Sequence, residues 1–143
     1  MVRLHKILGY SGLVPFFGFA LLYHINDVPW DFLLVVYSAL IFSFLAGLLW
    51  ASTLNYELPT HALYVSISAM LWSFMWIFFW VFFSGLQNQQ FHSFLFIVIS
   101  FSFIALYYYE RMYLSKIYSA SFLKLRARLS LSVAGIFFLV AFI

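Results

Sequence analysis

The feature that most constrains this chain is a series of long apolar runs separated by short polar segments. Four of the runs contain no Asp, Glu, Lys or Arg, and they cover residues 7–23, 32–54, 62–83 and 91–109. A fifth run, 129–143, follows a segment rich in basic residues. A helix that crosses the ~30 Å hydrocarbon core of a membrane needs about 20 apolar residues. Because uninterrupted runs lack the alternation of barrel strands, these runs predict transmembrane helices.

The composition agrees with a membrane domain. Charged residues make up 8% of the chain and hydrophobic residues 66%, whereas a soluble domain has about 25% charged and roughly 45–50% apolar residues. We therefore exclude a water-soluble enzyme, a nucleic-acid-binding protein and a disordered tail. The chain has no cysteine, so disulfide bonds, thiolate metal sites and a cysteine nucleophile are excluded as well.

The fifth run is short for a membrane span. At ~1.5 Å per residue it covers only about 22 Å. We expect this span to begin near residue 123, with the side chains of Lys124, Arg126 and Arg128 extending to the membrane surface. A re-entrant or tilted end is the alternative. The predicted fold is a single all-α integral membrane domain, 1–143, with five transmembrane helices over about 7–23, 32–54, 62–83, 91–109 and 123–143.

The basic residues predict the orientation of these helices. With five spans, the N-terminal segment lies on the same side of the membrane as the loop after the fourth span. The two segments together hold all the basic residues, namely Arg3, Lys6, Arg111, Lys116, Lys124, Arg126 and Arg128. The loops on the opposite side, after the first and third spans, contain Asp27 and Asp31 as their only charged residues. By the positive-inside rule, the N-terminus is cytoplasmic and the C-terminus lies outside.

Small residues on the second span predict a surface for helix packing. Ala39, Ser43, Gly47 and Ala51 recur at every fourth position. In lipid, small residues let two helix backbones approach closely, which becomes a main source of attraction between helices. We interpret this set as a helix-packing ridge, and a ligand groove against the same ridge is the alternative.

Aromatic residues suggest a possible ligand wall. Trp72, Trp76 and Trp80 recur at every fourth position of the third span, and Pro15 is expected to kink the first span and widen a cavity. Together with Tyr37 and Trp50 they form a candidate stacking wall for a flat ligand such as a quinone or tetrapyrrole. Ordinary packing or a lipid-facing surface is the alternative.

The segment 110–128 mixes basic and apolar residues. Such a mixture is typical of an interfacial helix attracted to anionic lipid. The predicted lipid contacts are Arg111, Lys116, Lys124, Arg126 and Arg128. A positive-inside anchor without any recognition role is the alternative.

Residues for chemistry are scarce. The first four spans contain no Asp, Glu, Lys or Arg, which argues against an ion-coupled transporter. No Ser or Thr has a His–Asp partner nearby in sequence that would indicate nucleophilic catalysis, so no catalytic residue is predicted.

Histidines are the remaining candidates for ligands. His24 and His92 are placed at the outer face, near Asp27 and Asp31. Imidazole and carboxylate ligands suit Zn²⁺ or Cu²⁺, so these four residues are the weak candidates for a metal site. Histidines at helix ends also occur as plain interfacial residues, and a bis-histidine haem is a further alternative.

Three segments resemble a known family. Residues 8–16 are similar to a Leu-Gly-x-x-Gly-Leu-Ile-Pro-Phe opening, and residues 37–50 to a Tyr-x-x-x-Ile-x-Ser-Phe-Leu-x-Gly-x-x-Trp core. Residues 123–126 complete the pattern. The family is one of small five-helix bacterial inner-membrane proteins known as a domain of unknown function, which a mitochondrial transmembrane protein shares. The resemblance implies five helices in the bacterial inner (cytoplasmic) membrane, and it implies no activity.

The sequence therefore favours a non-enzymatic, multi-pass membrane protein. Its expected role is an accessory subunit or assembly factor, in contact with membrane lipids and with a membrane-protein partner or a second copy of itself. A binder of a flat hydrophobic ligand is the first alternative, and outer-face metal binding is the second. No cofactor is predicted, and quinone, haem and lipid stay open as ligands. No nucleic-acid partner is expected.

Overall fold

The computed structural model describes residues 2–25, 30–83, 89–116 and 118–142. These residues form helices α1 (Val2–Ser11), α2 (Leu13–Ile25), α3 (Trp30–Asn55), α4 (Thr60–Phe83), α5 (Gln89–Leu114) and α6 (Ala120–Phe142). Five stretches are long and apolar enough to cross a membrane: Lys6–Ile25, Trp30–Asn55, Thr60–Phe82, Ser93–Leu114 and Ala120–Phe142. The prediction of an all-α protein with five helices of membrane-spanning length is confirmed.

The first span is interrupted at Gly12, one turn before the expected kink at Pro15. Proline has no N–H, and its ring clashes with the carbonyl group of the residue four positions earlier, here Ser11. Helix α1 therefore ends at Ser11, and α2 begins at Leu13. The Tyr37 hydroxyl of α3 donates a hydrogen bond to the Gly12 carbonyl oxygen at 2.8 Å. This bond ties the break in the first span to the second span.

The last helix begins at a capped turn rather than within an interfacial helix. Helix α5 continues through Leu114, and α6 starts at Ala120. The Ser119 hydroxyl accepts a hydrogen bond from the Phe122 backbone N–H at 3.3 Å, as an N-cap residue does. The segment 110–128 is thus divided between the end of α5, a short connection and the first turns of α6.

The helices associate mainly as two neighbouring pairs. The most extensive contacts join α3 to α4 and α5 to α6, and α2 packs against both α3 and α6. The short helix α1 also contacts α6, whereas α4 and α5 contact each other over a much shorter length. Helix α2 therefore connects the two pairs through its contacts with α3 and α6, whereas the pairs are loosely packed where α4 faces α5.

Serine hydroxyls bridge both of the closely packed pairs. The Ser43 and Ser73 Oγ atoms lie 2.7 Å apart between α3 and α4. The Ser100 hydroxyl of α5 donates to the Ala134 carbonyl oxygen of α6 at 2.8 Å. Small polar side chains of this kind let helices approach closely in lipid and add hydrogen bonds between them.

An aromatic cluster fills the centre of the bundle. The Phe103 ring lies 5.2 Å from Phe42, 6.1 Å from Trp76 and 6.5 Å from Phe16, measured between ring centroids. The Phe16 ring in turn lies 6.1 Å from Phe137. These edge-on and tilted contacts are the preferred geometries of aromatic pairs. Helices α2 to α6 each contribute a ring, so the cluster joins five helices.

A buried ion pair joins α5 to α6. The Arg126 Nη2 and Nε atoms donate to the Glu110 Oε2 atom at 2.7 and 3.0 Å, and Nη1 donates to the Ser130 hydroxyl at 3.1 Å. The side chains of Arg126 and Glu110 are only 6% and 2% exposed. Burial of two charges is costly in isolation, and the direct contact with its extra hydrogen bonds offsets that cost.

This ion pair corrects two sequence-based expectations. The fourth span was expected to end at residue 109, before its first charge, but α5 includes Glu110 and continues to Leu114. Arg126 was expected to reach anionic lipid, but it lies inside the bundle against Glu110. The physical reason is the same in both cases, because each charge is compensated by the other and needs no water.

The predicted packing ridge only partly follows the helix contact. Ala39 is buried and Ser43 bonds to Ser73, but Gly47 is exposed, and a Cβ atom added there would meet nothing within 4 Å. Ala51 is half-buried. An α-helix has 3.6 residues per turn, so a strict four-residue repeat drifts around the axis by about 40° per step. The ridge therefore turns away from α4 by Gly47, and Ala46 is buried instead.

Candidate functional site

The loose contact between α4 and α5 leaves a groove of about 600 Å³ on the side of the bundle. Its wall residues on α4 and α5 include four with short side chains, Ser68, Ala69, Ser102 and Ala105. Side chains of this size are too short to fill the space between two diverging helices. Its full lining is Phe42, His61, Tyr64, Val65, Ser68, Ala69, Trp72, Ser102, Ala105, Leu106 and Tyr109.

A histidine–tyrosine pair lies at one end of the groove. The first turn of α4 carries His61, whose Nδ1 atom lies 2.6 Å from the Tyr109 hydroxyl of α5. The His61 ring also packs edge-on against Tyr113, with ring centroids 4.7 Å apart. The bond to Tyr109 uses Nδ1, and the imidazole Nε2 atom is a second hydrogen-bonding position. This pair spans the gap between α4 and α5 at their ends near the basic segment.

An indole spans the gap about three turns further along α4. The Trp72 Nε1–H group donates to the Ser102 hydroxyl of α5 at 2.9 Å. One turn beyond it on α4, Trp76 is 1% exposed and packs at 4.9 Å from the ring of Phe42, which also lines the groove. The Trp76 Nε1–H group has no hydrogen-bond partner among the described residues. A buried polar group without a partner is rare and costly, but Trp76 itself does not line the groove.

The residues that line the groove determine which kind of ligand suits it. The described lining residues supply aromatic rings, an apolar floor, and hydroxyl, imidazole and indole groups, and they include no carboxylate, lysine or arginine. The groove is widely open on its outer side. Its volume lies within the ~300–1,000 Å³ of typical ligand sites, which are mostly apolar with a few placed polar groups. The groove therefore suits an uncharged, largely apolar molecule that carries a carbonyl or hydroxyl group.

A smaller cavity lies elsewhere, between α1, α2, α3 and α6. Its volume is about 170 Å³, and its polar lining includes Arg126 and Ser130. This volume is below that of typical ligand sites. Since the guanidinium group of Arg126 is already bound to Glu110 and Ser130, the groove between α4 and α5 is the stronger candidate.

The comparison with known protein families covers the whole chain. The model of the family described as "Protein of unknown function (DUF3429)" matches residues 1–143. The chain belongs to the DUF3429 family. No curated protein and no solved structure matches it.

In this DUF3429 chain the residues of the predicted ligand wall do not form one surface. Trp72 lines the groove and Trp76 is buried one turn beyond it. Trp80 is buried against the ring of Phe96 at 5.6 Å, and Trp50 is 45% exposed on α3. Pro15 and Tyr37 lie at the break in the first span. Of the predicted ligand wall, Trp72 is the residue that lines the groove.

The predicted metal ligands of the DUF3429 chain are only partly described. His24 is exposed at the end of α2, and Asp31 is buried in the first turn of α3. The Asp31 carboxylate accepts a hydrogen bond from the Phe32 backbone N–H at 2.7 Å. Asp27 and the side chain of His92 lie outside the described residues. Across the described part of the chain, no three His, Cys, Asp or Glu residues come together as a metal site.

Sequence reasoning missed the partners that make the groove. Neither His61 nor Tyr109 was among the predicted site residues. The signal that was available is the co-occurrence of short side chains on two successive spans, Ser68 and Ala69 on α4 and Ser102 and Ala105 on α5. Such residues indicate either close helix packing or open space, and only the structure decides between them.

Proposed function

We propose that this protein is a non-enzymatic membrane protein that binds an uncharged hydrophobic ligand of the quinone class in the groove between α4 and α5. The observation that supports the proposal most is the apolar groove itself, whose lining includes the indole of Trp72 and the hydrogen-bonded pair of His61 and Tyr109. The pair of His61 and Tyr109 offers one donor to a carbonyl oxygen at the end of the groove, either the imidazole Nε2–H when Tyr109 donates to Nδ1, or the Tyr109 O–H when Nδ1 donates. An indole face at Trp72 offers a stacking surface.

The lining distinguishes between the three ligand classes that the sequence left open. A tetrapyrrole carries propionates and a phospholipid carries a phosphate, and both favour Lys or Arg partners. Neither residue type occurs among the described residues that line the groove. A quinone needs only hydrogen-bond donors for its carbonyl oxygens and an apolar site for its ring and tail. The groove therefore favours a quinone over the other two classes.

The proposal includes a location and an orientation. We place the chain in a bacterial inner membrane with its N-terminus on the cytoplasmic side. The basic residues support this orientation, since they lie on α1, at the end of α5, and in the connection to and first half of α6. By the positive-inside rule, the end of a bundle that is rich in Lys and Arg lies on the cytoplasmic side. The groove would then extend from the cytoplasmic end of α4, at His61, to about the middle of that helix, at Trp72.

Filling the groove tests the proposal. Ser68→Phe places a ring in the space between α4 and α5, and we expect it to weaken the binding of a short-chain ubiquinone at least about tenfold, because the ring competes for the apolar volume. Binding is measured as saturable quenching of tryptophan fluorescence in purified protein. Organic extraction of the wild-type protein is expected to release a quinone.

The matched control is Ile67→Phe. Ile67 is the neighbouring exposed residue on α4 and does not line the groove. We expect this variant to bind the short-chain ubiquinone with wild-type affinity. The proposal is contradicted by an extract that contains only bulk phospholipid together with quenching that does not saturate.

A second candidate function is the accessory subunit or assembly factor that the sequence favours. The observation in its favour is the open surface at Gly47, where the backbone of α3 is exposed between Phe44 and Trp50, two exposed aromatic side chains. An exposed glycine lets a helix of another membrane protein approach closely. We therefore propose that a partner, if one is present, contacts α3 at Gly47.

Gly47→Leu tests this second function. We expect the substitution to abolish copurification of a partner in mild detergent, because the leucine side chain prevents close approach to the α3 backbone. Thermal stability of the isolated protein should change little, since an added Cβ at Gly47 meets no atom within 4 Å. The measurement is native mass analysis of the affinity-purified complex.

Gly135→Leu is the control, because Gly135 is another exposed glycine with open space around an added Cβ. It should leave copurification intact. A wild-type protein that purifies as a monomer without any partner would count against the accessory-subunit function.

A further inference from the structure

A third pocket, distinct from the groove and from the smaller cavity, lies between α1 and α6 at the basic end of the bundle. Its volume is about 310 Å³, and Lys6 and Tyr10 from α1 face Lys124 and Arg128 from α6 across it. Ser121 and Leu125 complete the lining. All three basic side chains are exposed, so the pocket is open at the surface.

Close contact between α1 and α6 brings these cations together. Gly9 lies against α6, where an added Cβ atom would be 3.2 Å from the Leu129 Cδ1 atom and 3.5 Å from the Leu125 Cδ2 atom. The Arg128 Nη1 atom also donates to the Tyr10 hydroxyl at 3.4 Å. The absence of a side chain at Gly9 thus lets α1 lie directly against the leucine side chains of α6.

The described lining of this pocket carries only positive charge. The six lining residues include three cations and no carboxylate. Lys124 and Arg128 are four residues apart on α6, a spacing at which like charges repel each other. Within the described residues, the acidic side chain nearest in sequence, Glu110, is engaged by Arg126. An anion with several oxygen atoms would satisfy the three cations together with the hydroxyl groups of Tyr10 and Ser121.

The surface next to the pocket indicates where the anion comes from. On α6, the residues that follow Arg128 at helical spacing are exposed and mostly apolar, namely Leu131, Gly135, Phe138 and Phe142. On the first span, the residues that follow Tyr10 are likewise exposed and apolar, namely Val14, Phe17 and Leu21. Two apolar stripes thus extend from the basic pocket into the membrane. A phosphate group attached to acyl chains fits this arrangement better than a phosphate ion in water.

We propose that the pocket formed by Lys6, Tyr10, Ser121, Lys124 and Arg128 binds the phosphate headgroup of an anionic phospholipid. The acyl chains of that lipid lie along the exposed stripes of α2 and α6. Basic pockets between transmembrane helices on the cytoplasmic side are known to hold such headgroups. The site is independent of the quinone groove, because the two share no lining residue.

The test uses native mass spectrometry of the full chain with phosphatidylglycerol as the probe. The variant Lys6→Gln/Lys124→Gln/Arg128→Gln is compared with Arg3→Gln/Arg111→Gln/Lys116→Gln, which removes the same charge from exposed residues outside the pocket. Arg111 and Lys116 are lipid contacts predicted from the sequence, so the comparison separates binding in the pocket from general attraction of lipid to the basic segment 110–128. We expect the pocket variant to bind phosphatidylglycerol at least about tenfold more weakly than wild type. The control variant should stay within about twofold to threefold of wild type, because its three charges do not line a common pocket and separated exposed charges are screened by salt.

Single substitutions keep the test valid if the triple variant folds poorly. Lys124→Gln should weaken phosphatidylglycerol binding, and Lys124→Arg should retain it. Equal binding by the two triple variants, or equal binding of phosphatidylglycerol and phosphatidylcholine by wild type, would overturn the proposal. Inorganic phosphate that binds as tightly as phosphatidylglycerol would overturn the assignment to a lipid.

Discussion

Arg126→Leu is expected to lower the free energy of unfolding by about 3–5 kcal/mol, the cost typical of removing one partner from a buried ion pair. The substitution leaves the Glu110 carboxylate inside the bundle, where its side chain is 2% exposed. The carboxylate then loses both hydrogen bonds that the guanidinium donates to its Oε2 atom. The Ser130 hydroxyl loses its partner as well. The measurement is denaturant unfolding of the purified protein in detergent.

A double variant separates the value of the pair from the cost of an isolated charge. Glu110→Leu/Arg126→Leu removes both charges, and such replacements are often neutral or stabilising. We therefore expect it to unfold at a higher denaturant concentration than Arg126→Leu alone. Arg111→Leu is the control, because Arg111 follows Glu110 on α5 but is exposed. If Arg126→Leu were as stable as Arg111→Leu, the buried pair would not be present in the membrane-embedded protein.

Phe103→Ala is expected to cost about 3–5 kcal/mol of stability, the usual range for deleting a buried ring. The Phe103 side chain is 1% exposed and contacts Phe16, Phe42 and Trp76, which lie on three different helices. Its removal opens a cavity where α2, α3, α4 and α5 meet. Thermal unfolding followed by near-ultraviolet circular dichroism measures the effect, because that signal reports the packing of the aromatic side chains, Trp76 among them.

The same helix provides a control for this experiment. Phe101 lies two positions earlier on α5 and is 60% exposed, so Phe101→Ala should change stability by less than about 0.5 kcal/mol. Phe103→Leu should have an intermediate effect, because leucine fills part of the volume of the ring. A large loss of stability in both alanine variants would indicate that α5 is buried on both faces, and it would contradict the structure.

The membrane-spanning helices could be predicted from the sequence for a simple physical reason. Backbone groups in lipid have to be satisfied within the segment, so a long apolar run has helix as its favoured structure. Charged and turn-forming residues therefore mark the helix ends closely. The rule that a charged residue ends a span is wrong at Glu110. Helix α5 includes this residue and continues to Leu114. A partner sixteen positions later in the sequence, Arg126, makes that continuation possible.

The contacts between helices were harder to predict than the helices. A four-residue repeat identifies Ala39 and Ser43 correctly as lying on the side of α3 that packs, yet it carries the same prediction on to Gly47, which is exposed. The direction in which a helix faces depends on its rotation relative to its neighbours. A single sequence does not specify that rotation.

The candidate groove could be predicted only in part. The tryptophan stripe on α4 pointed toward Trp72 and Trp76, because aromatic residues at helical spacing are visible in the sequence. The partners on α5, Ser102 and Tyr109, could not be identified, since they depend on how far α4 and α5 diverge. An open volume is a property of several helices together, and local patterns do not determine it.

The buried ion pair has a consequence for how the chain enters the membrane. Glu110 is synthesised before Arg126, so during translation α5 is complete while its counter-charge is still inside the ribosome. A carboxylate without a partner is expensive at membrane depth. We therefore expect α5 and α6 to insert together as a helical hairpin rather than one after the other. Because α6 also supplies the contacts for Gly9 and Phe16, the first helices of the chain reach their final packing only after the last one arrives.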